Sequence, residues 1–510
     1  MINDRRLKHD LLEFTVEFHY LYLSNQTSNP MKTRDLSIIF SCFLFVLSVN
    51  RIIAQAPDSL WEHHYGGLLD DQGFYAIEGE NGQYIVVGKT KSNSNGGYDA
   101  YILKLDAQGT VIWEKSYGGP DEEQIVSICP ALYGGYVITG YVLSDVWLLW
   151  ITEDGDSLGS VTYGGPSADQ GLCIIPNIDQ GYTVTATYGT GFSMGDQLWL
   201  MKLDIAGDTI WTKKYGGPSQ DYGEEVIQTS DGGYMIAGRT YTTAVPEACD
   251  AWAVKTDANG DTLWTRKYGG SDEDNFNCVA ETDDGYIFGG ITRSFGQGIY
   301  SFYAVRTNDY GDTLWTRIYG GQSVNLCFDI DKMEDGNFVL SGYTSSFGPS
   351  NDLYLVEIDQ DGNMIWQHNY GHPQANEIIY GCQATSDGGF IATGRTIYYS
   401  AYKEEVIVIK LGPAGSGTGD HFTDNDGTIT IFPNPVSSHG IIRFENPHPD
   451  LTTVEIINLE GIVIKTLVDK QIIAGDEKID FNIADFNPGL YFIRIKSSGK
   501  VEVRKVVIFR

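Results

Sequence analysis

A chain of 510 residues with 42% hydrophobic and 13% aromatic content is long enough for several domains with large buried cores. Its formal net charge of −33 is unevenly placed: residues 57–427 hold 18 Lys and Arg against 52 Asp and Glu, while the segments on either side are near neutral. A field of that sign repels nucleic acid and anionic membrane and leaves neutral or cation-rich partners.

In chain order, residues 1–30 are polar and form no recognisable element. We expect translation to begin at Met31 and read 1–30 as a gene-model extension. Residues 31–56 have the parts of a secretory signal peptide. Met31, Lys32 and Arg34 are a basic start, Leu36–Val49 is an apolar run, and Ala54-Gln55-Ala56 is an A-x-A cleavage site. The run is short for a membrane span. It predicts export to the periplasm.

From 57 to 411 one motif returns at a nearly constant pitch. The copies are Tyr65-Gly66-Gly67, Tyr117-Gly118-Gly119, Tyr163-Gly164-Gly165, Tyr215-Gly216-Gly217, Tyr268-Gly269-Gly270, Tyr319-Gly320-Gly321 and the variant Tyr370-Gly371-His372. The tyrosines stand 52, 46, 52, 53, 51 and 51 residues apart. Such a period marks a radial β repeat. The copy from Asp231 to Gly270 shows a turn, a short strand from Tyr234, an alternating strand from Asp250, a tight turn at Ala258-Asn259-Gly260 and a strand from Thr262 to Tyr268. The segment before the turn supplies a fourth strand, which makes each copy a propeller blade.

Seven second strands begin at Tyr84, Tyr136, Tyr182, Tyr234, Tyr286, Phe338 and Phe390, but only six outer strands follow a third strand. Leu60–Tyr65 has the outer pattern with no blade before it. It is predicted to pair with Val406–Leu411 and to cover edges otherwise open to other chains. The fold expected is all-β: a seven-bladed β-propeller over 57–411, closed by an N-terminal strand, then a small Ig-like β-sandwich.

Four blades repeat a cation nine residues before a Trp: Lys104/Trp113, Lys202/Trp211, Lys255/Trp264 and Arg306/Trp315. The spacing predicts diagonal neighbours on one face, with the cation over the indole. Lys410 is expected opposite Trp61. Glu357/Trp366 breaks the pattern, and Trp150 with Gly159 inverts it. Cys129, Cys173, Cys278, Cys327 and Cys382 fall on the first strands of their blades. At one radial position they would stand a blade apart, too far for a disulfide, so buried free thiols are expected.

Residues 412–427 are a Gly-rich linker. Residues 428–510 hold seven short strand candidates: Thr428–Phe432, Ile441–Glu445, Val454–Asn458, Ile462–Leu467, Lys478–Ile483, Leu490–Lys496 and Val501–Phe509. That density fits a sandwich. Its motifs are Pro433-Asn434-Pro435, a strand ending at Gly461, Pro488-Gly489-Leu490-Tyr491 and a terminal stretch at Lys505. In this order they resemble the type A sorting domain of the type IX (Por) secretion system. The resemblance covers this domain only. It implies a Bacteroidota-type cell, the type IX machinery as partner, and release or attachment at the outer surface.

No motif for catalysis withstands its context. Gly191-Phe192-Ser193-Met194-Gly195 matches a nucleophile elbow but lies in a loop between strands, aligned with the repeat loops at Ser294 and Ser346. His63, His64, His368 and His372 have no metal-ligand spacing. Asp257-Ala258-Asn259-Gly260-Asp261 and the acids after each Tyr-Gly-Gly are turn-formers, and weak calcium binding is the one metal expectation they raise. No catalytic residue, cofactor or metal ligand is assigned. The repeat also resembles the secreted SBBP-type bacterial propeller repeats. The expected function is a monomeric, non-enzymatic binding module at the cell surface or outside it, for a surface carbohydrate or protein. The alternative is an extracellular polysaccharide hydrolase or lyase with its site on one propeller face.

Overall fold

The structure is a computed structural model. It describes residues 56–190, 195–242, 245–333, 335–398, 403–413, 430–432, 436, 439–458, 462–483, 486, 489–497 and 500–508. The extension at 1–30, the signal segment through Gln55 and the linker from 414 lie outside the described residues.

Seven antiparallel four-stranded sheets form the blades. Blade one is Asp71–Glu78, Tyr84–Thr90, Asp99–Leu105 and Val111–Tyr117. Blades two to six repeat this order, their first strands being Glu123–Pro130, Gln170–Pro176, Asp221–Gln228, Asp274–Thr282 and Asn325–Lys332. Blade seven combines Ala375–Ala384, Phe390–Tyr398 and Glu404–Leu411 with the N-terminal Ser59–Tyr65. Each first strand packs beside that of the next blade, and the seventh beside the first. The sheets thus ring a central channel. Second and third strands are buried almost throughout, and outer strands alternate exposed and half-buried positions. One apolar cluster fills each junction between blades, as between Met235, Ala253, Phe276, Phe288 and Val305.

Ser59–Tyr65 pairs antiparallel with Glu404–Leu411, Tyr65 opposite Val406 and Trp61 opposite Lys410. The expected closure and the Trp61–Lys410 facing both stand. Further atoms fasten the seam: Gly412 N donates to Asp58 O at 2.9 Å, and the Tyr370 hydroxyl donates to Pro57 O at 2.6 Å.

The Tyr of each Tyr-Gly-Gly is the recurrent lock between blades. Its hydroxyl donates to a glycine carbonyl in the hairpin turn of the next blade: Tyr215 to Gly260 at 2.6 Å, Tyr268 to Gly311 and Tyr319 to Gly362 at 2.8 Å. The preceding Trp serves the same turn, Trp264 Nε1 donating to Asp309 O at 2.9 Å. Gly311 has φ +78°, and a Cβ there would lie 2.8 Å from the Trp264 ring. Glycine is needed for both the turn and the contact.

The cation ladder differs from expectation. Lys255 is directly opposite Trp264 and Arg306 directly opposite Trp315, not diagonal. A bulge after each cation shifts the register by one. Nor do these cations lie over the indoles. Lys255, 3% exposed, reaches Asp231 at 2.9 Å, and Lys410 reaches Asp387 at 2.9 Å. A buried ammonium needs a charged acceptor more than a ring. The indoles take cations from their own strand, Lys115 over Trp113 at 5.8 Å and Arg266 over Trp264 at 5.9 Å.

Cys129, Cys173, Cys249, Cys278, Cys327 and Cys382 are unpaired thiols. The two thiols nearest each other are Cys278 and Cys327, across blades five and six: a Cβ on Gly289 would lie 2.6 Å from the Cys278 sulfur and 3.2 Å from that of Cys327, and both remain free. Cys278 follows the bulge of its strand and Cys327 precedes the bulge of the next, so they meet.

Among the described residues the C-terminal domain has five strands: Thr430–Phe432, His439–Ile457, Val463–Asn482, Gly489–Ser497 and Lys500–Ile508. All seven candidate segments fall on them, because two long strands each absorb two candidates. The register of His439–Ile457 breaks between Asn446 and Asp450. Its first half pairs with Thr430–Phe432 and its second with Gly489–Ser497, which pairs with Lys500–Ile508. Ile442, Phe444 and Phe481 of one half and Val454, Ile456, Ile493 and Val506 of the other share one core, as in a sandwich.

Candidate functional site

The first strands line the channel, and each carries one extra residue that interrupts its pairing. These bulge residues are Phe74, Val126, Leu172, Glu224, Asn277, Phe328 and Tyr380. A bulge re-aims its side chain, and all seven border one cavity of about 580 Å³ in the channel. The lining is lopsided. Blades six, seven and one give contiguous rings, Phe328–Tyr380 at 5.8 Å and Phe74–Tyr380 at 5.5 Å between centroids. Blades four and five give Glu224 and Asn277. Glu224 pairs with Arg239 at 2.7 Å, whose guanidinium lies 4.6 Å over Tyr222.

Beyond the bulges the channel is polar. Tyr75, Cys173, Glu225 and Asp329 border the cavity, and Asp331 stands two residues further along. Several of these tie neighbouring blades. Glu225 Oε2 accepts Val279 N at 2.7 Å, Asp329 Oδ2 accepts Cys382 N at 3.3 Å, and Asp331 Oδ2 accepts Ala384 N at 2.5 Å. Ser127 Oγ accepts Ile174 N, and Asn277 Nδ2 donates to Cys327 O. Burial pushes the carboxyls of Glu225, Asp329 and Asp331 upward, and mutual repulsion adds to it for Glu225 and Asp329. Burial, then Asp329, raises the Tyr75 hydroxyl. Among the described residues no Lys or Arg forms an ion pair with these three acids, and no three His, Cys, Asp or Glu side chains converge as metal ligands.

The acidic turns and histidines weighed for chemistry in the sequence lie elsewhere. In the acidic turns, Asp257 Oδ1 accepts the N–H groups of Asn259 and Asp261 at 2.8 and 2.9 Å. Asp274 closes its Tyr-Gly-Gly turn by accepting Gly270 N at 2.7 Å and the Ser294 hydroxyl at 2.6 Å. These carboxylates are occupied by hairpin geometry. The elbow-like serine, Ser193, lies outside the described residues. His63 stacks on Trp61 of the closing outer strand, and His372 meets Tyr398 edge-to-face at 5.8 Å.

Of the sorting motif, Pro433, Asn434, Pro435, Gly461 and Pro488 lie outside the described residues. Gly489 and Leu490 open a strand opposite Ile508 and Val507, Lys505 pairs opposite Phe492, and Tyr491 packs edge-on to Phe486 at 5.4 Å. Ala56 packs against the blade six–seven cluster.

The channel was missed in the sequence, yet a signal was there. In six copies the bulge residue stands nine positions after the Tyr of Tyr-Gly-Gly, and the copies agree on neither that residue nor the next. Variation confined to one phase of a repeat marks where packing does not dictate the residue.

Residues 430–509 match the family described as the secretion system C-terminal sorting domain. No curated protein matches the chain. Among solved structures it is similar to PorZ, a surface component of the type IX secretion system of Porphyromonas gingivalis, with 11% identity and TM-score 0.41 over 86% of this chain. The chain spans 59% of the length of PorZ. It is also similar to the Neurospora crassa Pan2 WD40 domain, with 8% identity and TM-score 0.44 over 70% of this chain and 96% of that one.

Proposed function

We propose that this chain is type IX cargo whose propeller, once outside the cell, works as a non-enzymatic binding module with the channel as its recognition site. The sorting tail indicates secreted cargo. The observation that carries the binding reading is the division of labour within each blade. The repeated Tyr, Trp, Gly, Lys and Asp are consumed by locks between and within blades, while the seven bulge positions vary and border one cavity. Pockets of a few hundred Å³ with rings and a few convergent polar groups suit ligand binding.

A second reading, an extracellular polysaccharide hydrolase or lyase, draws on Glu225 and Asp329, whose burial favours the protonated acid. Both are engaged by backbone N–H groups of the next blade, which favours the structural role.

Two experiments test the proposal. Deleting 428–510 should leave a folded propeller in the periplasm of a type IX-competent host, and surface delivery of that truncation would refute the sorting role. Purified protein should bind a glycan or protein from the cell exterior without turnover. Polysaccharide cleavage abolished by Glu225→Gln or Asp329→Asn, with folding intact, would instead establish the enzyme.

A further inference from the structure

The channel combines two features that neither the repeat nor the blade ties require. One is an arc of three rings, Phe328, Tyr380 and Phe74, at neighbouring bulges. The other is a set of polar atoms facing the cavity with nothing to bind. At the cavity wall Glu225 uses Oε2, and among the described residues its Oε1 and the Tyr75 hydroxyl take no hydrogen bond; Asp331, just beyond the lining, uses Oδ2 and leaves Oδ1 without one. Tyr75 is positioned by Gly381, where a Cβ would lie 2.7 Å from its ring.

We propose that the channel binds a lysine-like alkylammonium group, its methylenes against the three rings and its charge at the acidic wall of Glu225 and Asp329, with Asp331 just behind them. This deepens the binding reading and rests on it. Three considerations carry it. Carboxylates drawn partly out of water and lacking an ion-pair partner gain most from a ligand of opposite charge. Aromatic faces attract ammonium groups, and a four-carbon stem covers apolar surface while its head reaches polar groups. The rings already draw one cation of this chain: Lys89 Nζ lies 5.7 Å from the Phe74 centroid, held back by Tyr98 at 4.6 Å and by Gln124 at 3.2 Å. The surrounding propeller, heavily acidic, raises the local concentration of such a ligand. A bare divalent ion fits less well, since three acidic side chains do not converge on a point.

The test is calorimetric titration of the mature full-length chain. The probes are Nα-acetyl-lysine methylamide, its ε-acetylated neutral isostere, a lysine-bearing nonapeptide, 1,5-diaminopentane and a neutral tetrasaccharide. The lysine probe should bind, and ε-acetylation should weaken binding at least tenfold. Asp329→Asn/Asp331→Asn and, separately, Phe74→Ala should each weaken it at least tenfold. The Asn side chain keeps an oxygen for the backbone N–H of the next blade, and a melting curve confirms the fold. Tighter binding of the peptide names a protein partner, and tighter binding of the diamine a free amine; both support the proposal. Equal binding of lysine and ε-acetyl-lysine would overturn it. Binding of the tetrasaccharide alone, lost in Phe74→Ala, would overturn the cation while keeping the recognition site. Binding of no probe would overturn both.

Discussion

At the scale of single residues, the propeller depends on hydrogen bonds that cross from one blade to the next. Tyr268 is buried, and its hydroxyl donates to Gly311 O. Tyr268→Phe leaves that carbonyl without its donor, and the expected loss of stability is about 1–3 kcal/mol. Denaturant unfolding of wild type and variant measures it. Glu377 gives a prediction in pH. It is 1% exposed, and burial first, then Asp352, raises its carboxyl from 4.5 to about 8. An acid raised in this way favours the fold only while protonated. Its penalty is absent below about pH 4.5 and grows as pH rises to about 8. Glu377→Gln should remove that loss, making the variant more stable than wild type at pH 8 and similar at pH 4. Parallel stability–pH curves for the two proteins would refute this. The sequence identified Lys255 and Trp264 as a pair but misassigned what they do. Spacing reveals which residues share a face. It does not reveal that an Asp in the preceding hairpin offers a buried ammonium a stronger partner.

At the scale of elements, the closing strand carries the clearest prediction. Removing 57–66 takes away the outer strand of blade seven and the Pro57 carbonyl that Tyr370 holds. The melting temperature should fall sharply, and an unchanged melting curve would refute the seam's importance. Blade boundaries and closure were legible because turn glycines, strand alternation and the Tyr-Gly-Gly period all agree. The bulges were not legible. An extra residue such as Phe328 leaves the period unchanged and announces itself only when pairing is laid out. The sorting domain shows the converse. Its segments were found, but His439–Ile457 reads as two strands because Asn446-Pro447-His448-Pro449 resembles a loop, while the chain runs on as one element with a break in register.

At the scale of the whole molecule, the acidity of residues 57–427 acts on every blade at once. Like charges on a compact body repel, and salt screens them over about 10 Å at 0.1 M. Raising sodium chloride from low to moderate concentration should therefore raise the melting temperature, and a thermal scan across ionic strengths would show it. A falling melting temperature would mean that surface ion pairs outweigh the repulsion. The seam also sets a timetable. A chain delivered from its N-terminus exposes Ser59–Tyr65 at the outset, whereas its partner Glu404–Leu411 arrives only after six other blades, and the sorting domain comes later still. Any chain broken off before that point has both an unmated first strand and no address label. Completion of the ring and the arrival of the sorting domain are thus written into one order, so that a chain cut short has neither.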